Sequence, residues 1–497
     1  MSADLHCTRR WLLNAGGAAL LANAVPTPAA RAQAAGAAEP RAEPQERAGQ
    51  AAISAMSGTL ADYVTQTLNR PLPDAVLATT KLHVLDTLAA MVSGSRLKPG
   101  ALAIRYIESL GGAPQATVVG TQIVTSSVNA AFANGMMAHA DETDDTHPLG
   151  PFHVGCGVVS AALATGELSN ATGTDILRSV ALGYDVGARF LMSLGGTRHN
   201  PSCMTNTIAT AATAAAMLRL DARQVRHVFS YAGQQASGMG YWDRDIEHIE
   251  KAFDFGGMGA RNGVTAATLV AIGCTATDDP FSGAINILSV LGNKPAPEAL
   301  VAELGTRFEV MNATLKKWSV GMPLQSVLDS TFELLANRAV RAANIKSIVV
   351  EISSTDTHIV DNNPNPDLCA QHLVALMIAD RGVSFASVHD AARMQDPKVT
   401  AIRRRVQVVP SSELAGANPP HQAVITIKTL DGKSFENRTT AVRGLAQNPM
   451  DETEVSAKAL DLMGPVLGAA RCKQLIEAVN ELERFGPIAG LRPLLQA

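Results

Sequence analysis

The stretch Ile208-Ala-Thr-Ala-Ala-Thr-Ala-Ala-Ala-Met217 decides the fold class of this chain. Alanine has the highest helix propensity of all residues, and its small side chain favours closely packed helices over sheet. Apolar residues also recur at helical spacing in residues 82–91, 158–168 and 176–188. Hydrophobic residues make up 46% of the chain and aromatic residues only 4%. The sequence therefore predicts a mainly helical protein.

The pattern changes in the last third of the chain. Residues 345–352 and 422–429 alternate or run β-branched, which is typical of strands, and Asp431-Gly432 favours a hairpin turn after the second. Helical spacing returns after Asn448-Pro449. We predict a mainly α fold, in which a large all-helical domain carries an inserted smaller α+β lid domain. The predicted bounds are 57–315 for the helical domain, 316–444 for the lid domain, and 445–497 for C-terminal helices that complete the helical domain.

The N-terminus has the order of a signal peptide. Arg9-Arg10 precede Trp11-Leu12-Leu13 and an apolar run of about 15 residues, short of the roughly 20 that cross a bilayer. The paired arginines indicate the twin-arginine pathway. We interpret residues 1–32 as this signal peptide and residues 33–56, rich in Pro, Ala, Arg and Glu, as a disordered linker. This predicts a periplasmic protein with no stable membrane anchor after signal removal.

Charge and motifs argue against several classes of function. A net charge of −4 without a basic stripe argues against nucleic acid as a partner. No Gly-x-Gly-x-x-Gly or P-loop spacing occurs, so nucleotide cofactors have no motif. The cysteines after the predicted signal are scattered and lack Cys-x-x-Cys spacing, which argues against a disulfide scaffold and a metal–thiolate site. The sequence still allows one disulfide bond in an oxidising periplasm. We expect no cofactor and no metal.

The densest polar segment is residues 134–153. It carries three histidines and a run of acids and hydroxyls: His139, Asp141, Glu142, Thr143, Asp144, Asp145, Thr146, His147 and His153. Eliminating water or carbon dioxide next to a carboxylate needs a base for the α-proton and an acid for the leaving group or the carbanion. From the residues alone, an acid–base site and a solvated acidic loop both stay open. A divalent metal would also find suitable donors, without a recognised spacing, in His139, Asp141, Asp144, His147 and His153.

This segment resembles a signature of the MmgE/PrpD family. Asn134-Gly135 and His139 match its Asn-Gly-x-x-x-His start, and Asp144-Asp145-Thr146 match its Asp-Asp-Thr end. Further similarity, in the family's order, occurs at residues 84–94, 181–185, 218–221, 234–238 and 260–263. The family includes 2-methylcitrate dehydratase, cis-aconitate decarboxylase and iminodisuccinate epimerase. The resemblance implies a homodimeric, cofactor-independent lyase that abstracts the proton α to a carboxylate of a small organic acid.

The resemblance also implies roles for individual residues. Two histidines match histidines of the family and are the candidate bases, oriented by nearby acids, while two lysines match those that hold a substrate carboxylate. The implied catalytic residues are His153, His199, Asp145, Asp144, Glu142 and Thr146. The implied substrate-binding residues are Lys251, Lys316 and His147.

Several positions depart from the family's pattern. Glu142 stands where an Asp is usual, Asp254 where a Lys-x-x-His pattern has its His, and Gly321 where cis-aconitate decarboxylase has a His. Because buried carboxylates need cationic partners, these changes favour a smaller or less anionic substrate than a tricarboxylate. Three alternatives stay open: an epimerase that uses the same proton abstraction, a metal-dependent hydrolase, and a periplasmic solute-binding protein.

Overall fold

The computed structural model of the chain describes residues 53–337 and 339–497, without the side chain of Asp243. The predicted signal peptide and most of the predicted linker lie outside these described residues. The first part of the fold consists of helices and a short antiparallel ladder of β1 (Ala116–Thr117) and β2 (Val124–Thr125). Its helices are α1 (Ala55–Gln66), α2 (Asp74–Gly94), α3 (Lys98–Leu110), α4 (Ser127–Ala138), α5 (Val154–Ser169), α6 (Gly173–Ser193), α7 (Pro201–Met217), α8 (Ala222–Gln235), α9 (Ile249–Ala252), α10 (Met258–Ala271) and α11 (Ile287–Leu291).

The alanine-rich stretch forms most of α7, the central helix of this part. It packs against α5, α6, α8 and α10, and its residues 202–217 are all buried. Glycines let the neighbours come close: a Cβ on Gly183 of α6 would lie 2.6 Å from Oγ1 of Thr213. The hydroxyls of Thr210 and Thr213 donate to backbone carbonyls of α7, which satisfies them inside the core. Small side chains thus allow a tightly packed bundle around α7.

The second part combines a mixed sheet with helices. Its elements are α12 (Met322–Ala336), β3 (Ile345–Ser353), α13 (Thr357–Val360), α14 (Ala370–Asp380), α15 (Phe385–His389), α16 (Pro397–Arg403), β4 (Val406–Ser411), α17 (Ser412–Ala415), β5 (Ala423–Thr429) and β6 (Ser434–Thr439). The strand order is β4-β3-β5-β6, with β3 parallel to β4 and antiparallel to β5. β5 and β6 form a hairpin whose turn contains Gly432 at φ 86°, a value that favours glycine. The predicted strands and hairpin turn are confirmed.

The described residues build two hydrophobic cores. The first core draws on residues 60–315 and 450–495, and the second core on residues 320–427. The chain returns to the first core through α18 (Glu452–Leu467), α19 (Ala469–Asn480) and α20 (Arg492–Leu495), with α18 packed against α2. About 59% of the residues are helical and 9% lie in strands, which confirms a mainly α fold with a smaller α+β part. Although α2 is long and apolar enough to span a membrane, 67% of its most apolar window is buried inside the protein.

Candidate active site

The polar segment connects α4 to α5 and lies inside the protein. Residues 139–147 are all buried, and the segment runs from His139, the C-cap of α4, to His153, the N-cap of α5. Backbone pairing of Thr146 with Thr314, through N–H···O bonds of 3.0 and 2.7 Å, anchors its middle. The alternative of a solvated acidic loop is therefore wrong. Carboxylates removed from water need partners, and the fold supplies them.

Asp144 bridges two histidines at the centre of the segment. Its Oδ1 lies 2.9 Å from Nδ1 of His139 and 3.0 Å from Nδ1 of His153. The two imidazole rings meet edge to face with centroids 4.5 Å apart, and the ring of Phe255 stacks on His139. Burial would raise the pKa of Asp144, but the two histidines hold it well below its ordinary value. An anion placed against both Nδ1 atoms favours the tautomer that leaves each Nε2 as a proton acceptor.

His153 is the member of this pair that lines the cavity. Its backbone N–H donates to Oγ of Ser202 at 3.3 Å, and its carbonyl accepts from Nδ2 of Asn206 at 2.7 Å. Both partners belong to α7, so the central helix of the bundle fixes the position of the imidazole. Burial lowers the pKa of His153 to about 4, although the Asp144 carboxylate acts in the opposite direction. His153 is therefore neutral near pH 7 and able to accept a proton.

Glu142 brings the two predicted lysines together. The ammonium of Lys251 donates to Oε1 of Glu142. Nζ of Lys316 donates to the backbone carbonyl of Glu142 at 2.7 Å and lies 3.6 Å from its Oε2. Glu142 and Lys251 line the cavity, whereas Lys316 is fully buried and touches Glu142 from inside the protein. Burial would raise the pKa of Glu142, but the two ammonium groups hold it well below its ordinary value.

Asp145 belongs to a separate hydrogen-bond network. Its carboxylate accepts from the hydroxyl of Tyr184 and from the backbone N–H of Gly155 at 3.0 Å, and lies 2.6 Å from Nδ1 of His83. Asp145 is not among the residues that line the cavity. Since Gly155 lies in the first turn of α5, Asp145 fixes the start of the helix that follows His153, which is a positioning role.

Thr146 and His147 both line the cavity. Nε2 of His147 is 3.4 Å from Oε2 of Glu309. Burial would raise the pKa of Glu309, but its contacts with His147, Asn312 and Arg189 lower it to about 2. His147 therefore faces a carboxylate that is ionised at neutral pH.

Two predicted positions lie elsewhere. His199 is half-buried, its backbone N–H donates to Oγ1 of Thr197, and it is not among the residues that line the cavity. Asp254 is also absent from the lining and accepts a hydrogen bond from Asn200. Burial raises the pKa of Asp254 to about 7, so it carries less negative charge than the sequence indicates. The structure thus groups His153 with Glu142, Thr146, His147 and Lys251 around one cavity, without His199.

The cavity has a volume of about 410 Å³, and residues of the second part of the fold form part of its wall. This wall carries Asp356, His358 and His421, with Nδ1 of His421 3.1 Å from Oδ2 of Asp356. Sequence reasoning assigned His358 and His421 no function, because no motif surrounds them. His421 has a left-handed backbone at φ 58°, which is uncommon outside glycine and is visible only in the folded chain.

His248 is a further residue that sequence reasoning missed. It also has a left-handed backbone, at φ 58°, and its Nδ1 lies 3.9 Å from Oε1 of Glu142. Burial and the nearby Lys251 lower the pKa of His248 to about 3. The imidazole is therefore a neutral neighbour of the pair formed by Glu142 and Lys251.

Within the part of the chain that the structure describes, two groups of side chains could hold a metal ion. One consists of His139, Glu142 and His248, the other of His139, Asp144 and His153, with donor atoms within 4.8 Å of one another in each. Nε2 of His139, Nε2 of His248 and Oδ2 of Asp144 are buried without a hydrogen-bond partner among the described residues. The ammonium groups beside Glu142 repel a cation from the first group. In the first group the donor chemistry fits a metal, but the surrounding charge fits an anion better.

Two models of known protein domains match this chain over far more than the residues around the cavity. Residues 58–300 match the model of the MmgE/PrpD N-terminal domain, and residues 318–484 match that of the MmgE/PrpD C-terminal domain. No curated protein matches the sequence. The two matches follow each other in order and together span most of the chain, including the buried polar segment and the inserted sheet. The chain belongs to the MmgE/PrpD family.

Proposed function

We propose that this protein is a cofactor-independent lyase that abstracts the proton α to a carboxylate of a small organic acid. Membership of the MmgE/PrpD family supports a dehydratase-like or related enzyme. The main support for the proposal is the position of His153. It lines the cavity, its pKa is lowered to about 4, and its Nδ1 contacts the anionic carboxylate of Asp144. A neutral imidazole backed by a buried carboxylate is a competent general base.

The first step is proton transfer to His153. Its Nε2 takes the α-proton, and the imidazolium that forms is stabilised by Asp144, whose Oδ1 lies 3.0 Å from Nδ1. His139 donates to the same oxygen at 2.9 Å and so limits rotation of the carboxylate. Asp144 is therefore the positioning residue for the base.

The second requirement is stabilisation of the negative charge that develops on the substrate carboxylate. Lys251 lines the cavity and supplies an ammonium group for this enolate-like charge. Thr146 and His147 line the same cavity and supply further polar contacts. In a dehydration, the hydroxyl group on the neighbouring carbon then leaves as water with the proton held by His153, and a carbon–carbon double bond forms. In a decarboxylation the proton moves in the opposite direction: carbon dioxide leaves, and the carbanion that remains takes up a proton.

An epimerase is the second candidate, because it shares the first step. The observation that favours it is His421, which lines the cavity from the second core and contacts Asp356. A histidine on another wall could return the proton to the other face of the carbanion. The two reactions differ in product: a lyase forms a double bond, whereas an epimerase returns the substrate with inverted configuration.

We also propose export to the periplasm, supported by Arg9-Arg10 and the apolar run that follows them. Replacing both arginines by lysine should retain the protein in the cytoplasm, as measured by cell fractionation. Unchanged export of that variant would contradict the proposal.

The reaction is tested by following α-proton exchange in heavy water by NMR, with the purified protein and a panel of small carboxylic acids. We expect loss of the α-proton signal for at least one acid, unaffected by a chelator. Loss of this exchange with the chelator would favour a metal-dependent enzyme and contradict a cofactor-independent reaction. Tight binding of an acid without exchange would favour a solute-binding protein and overturn the proposal.

A further inference from the structure

We propose that Glu142 occupies the place of one substrate carboxylate, so that the cavity takes a monocarboxylic acid with an apolar body rather than a polycarboxylate. This inference rests on the proposed function and specifies its substrate class. It makes Glu142 a specificity-determining residue of the candidate active site.

The first support is the direct pairing of Glu142 with both lysines. Lys251 donates to Oε1, while Nζ of Lys316 lies 3.6 Å from Oε2 and donates to the backbone carbonyl. The three residues come from three separate segments and are all at least nine-tenths buried. The geometry that two ammonium groups would offer to a substrate carboxylate is thus already filled by a carboxylate of the protein.

The second support is the charge of the cavity. Among the described residues that line it, Lys251 is the only lysine or arginine, whereas two carboxylates, those of Glu142 and Asp356, line the same cavity. His153 is neutral near pH 7, since its pKa is lowered to about 4. A substrate with three carboxylates would bring further negative charge into a site without free cations to offset it. A single carboxylate can still share the ammonium of Lys251, which has three N–H donors.

The third support is the apolar lining of the cavity. Aromatic and aliphatic side chains make up much of its wall: Trp242, Phe255, Met322, Ile359, Leu368 and Leu445. At Gly321, which also lines the cavity, a Cβ would lie 2.5 Å from Cδ2 of Leu368, so the apolar side chain of Leu368 occupies the space beside this glycine. Such walls favour the hydrocarbon part of a ligand and leave extra carboxylates without partners.

The test compares two acids with the same reacting group. 3-Hydroxyhexanoate has one carboxylate and a hydrocarbon tail, and citrate has three carboxylates; both carry a CH₂ beside a carboxylate and a β-hydroxyl. Deuterium exchange at this CH₂ gives kcat/KM for each acid. We expect the wild-type protein to prefer 3-hydroxyhexanoate by about tenfold or more.

Glu142→Gln is the decisive variant, because it keeps the side-chain shape and frees the charge of the lysines. We expect it to raise the ratio of kcat/KM for citrate over 3-hydroxyhexanoate by about tenfold. Asp356→Asn is the matched control: it removes one negative charge from the same cavity but away from the lysines, and should shift the ratio much less. Glu142→Asp is more conservative for folding and places the family's usual residue at this position. Because Asp is one CH₂ shorter, its carboxylate is withdrawn from the two lysines, and the ratio should move toward citrate, though less than in Glu142→Gln.

Three outcomes would overturn the inference: a wild-type preference for citrate, an unchanged ratio in Glu142→Gln, or equal shifts in Glu142→Gln and Asp356→Asn. If Glu142→Gln does not fold, an unchanged ratio in Glu142→Asp would overturn it as well. Absence of exchange with every acid of the wider panel is a different result, because it rejects the proposed function itself.

Discussion

Replacing Asp144 by Asn should reduce turnover about 1,000-fold while leaving the shape of the site intact. Asn can still accept hydrogen bonds from both histidines, but the charge that stabilises the imidazolium of His153 is lost. Oδ1 lies 3.0 Å from Nδ1, and the imidazolium charge is spread over the ring, so the mean separation is about 4 Å. At an effective dielectric constant of about 20 this corresponds to about 4 kcal/mol. Since each 1.4 kcal/mol or so is tenfold in rate, the expected loss is about 1,000-fold.

The assay is α-proton exchange by NMR, with the folded fraction measured by circular dichroism. Asp185→Asn is the matched control, because Asp185 is a fully buried carboxylate of the same core that does not line the cavity. It accepts from the hydroxyl of Tyr63 and the backbone N–H of Glu309, both at 2.6 Å, so its loss should lower stability but not turnover per folded molecule. A folded Asp144→Asn protein whose turnover is reduced less than about tenfold would refute the reasoning.

Further predictions concern pH and packing. Because the pKa of His153 is about 4, kcat/KM should fall only as the pH drops through about 4 in a pH–rate profile. Since this pKa lies below the ordinary 6.5, the imidazole binds its proton more tightly in the unfolded chain than in the folded one. The free energy of unfolding in urea should therefore decrease as the pH drops from about 6.5 to about 4, and this decrease should be steeper than in His153→Gln. In Gly135→Ala the new Cβ would lie 2.6 Å from the carbonyl oxygen of Gly256, so Tm in a thermal melt should drop by several degrees. In Lys458→Met the buried carboxylate of Asp86 loses a partner at 2.6 Å, and urea unfolding should show a loss of about 3 kcal/mol.

The sequence predicted those features of the fold that depend on local patterns of residue type, such as helix propensity and strand alternation. The alanine-rich stretch predicted α7 because propensity and burial agree along it, and β3 and β5 showed the alternation of half-buried strands. The buried segment between α4 and α5 was visible as a dense run of polar residues between apolar ones. Its burial was not visible, because charge runs usually lie on surfaces.

The site was predictable only where a motif marks it. His153 and Lys251 were found through the family resemblance, and the structure places both at the cavity. His421 and Asp356 also line this cavity, although they are 65 residues apart in the chain. Local sequence periodicity cannot predict a contact between residues so far apart. His199 shows the reverse: its sequence context matches the family, but it does not line the cavity.

The reaction at His153 is tested most directly by comparing wild type with His153→Gln in heavy water, using the acid that the wild type exchanges fastest. Gln keeps a polar side chain in the pocket but cannot take up a proton. We expect α-deuterium incorporation to fall to the uncatalysed rate in His153→Gln, while the acid still binds. Incorporation by a folded His153→Gln protein at a rate close to that of wild type would contradict the assignment of His153 as the base.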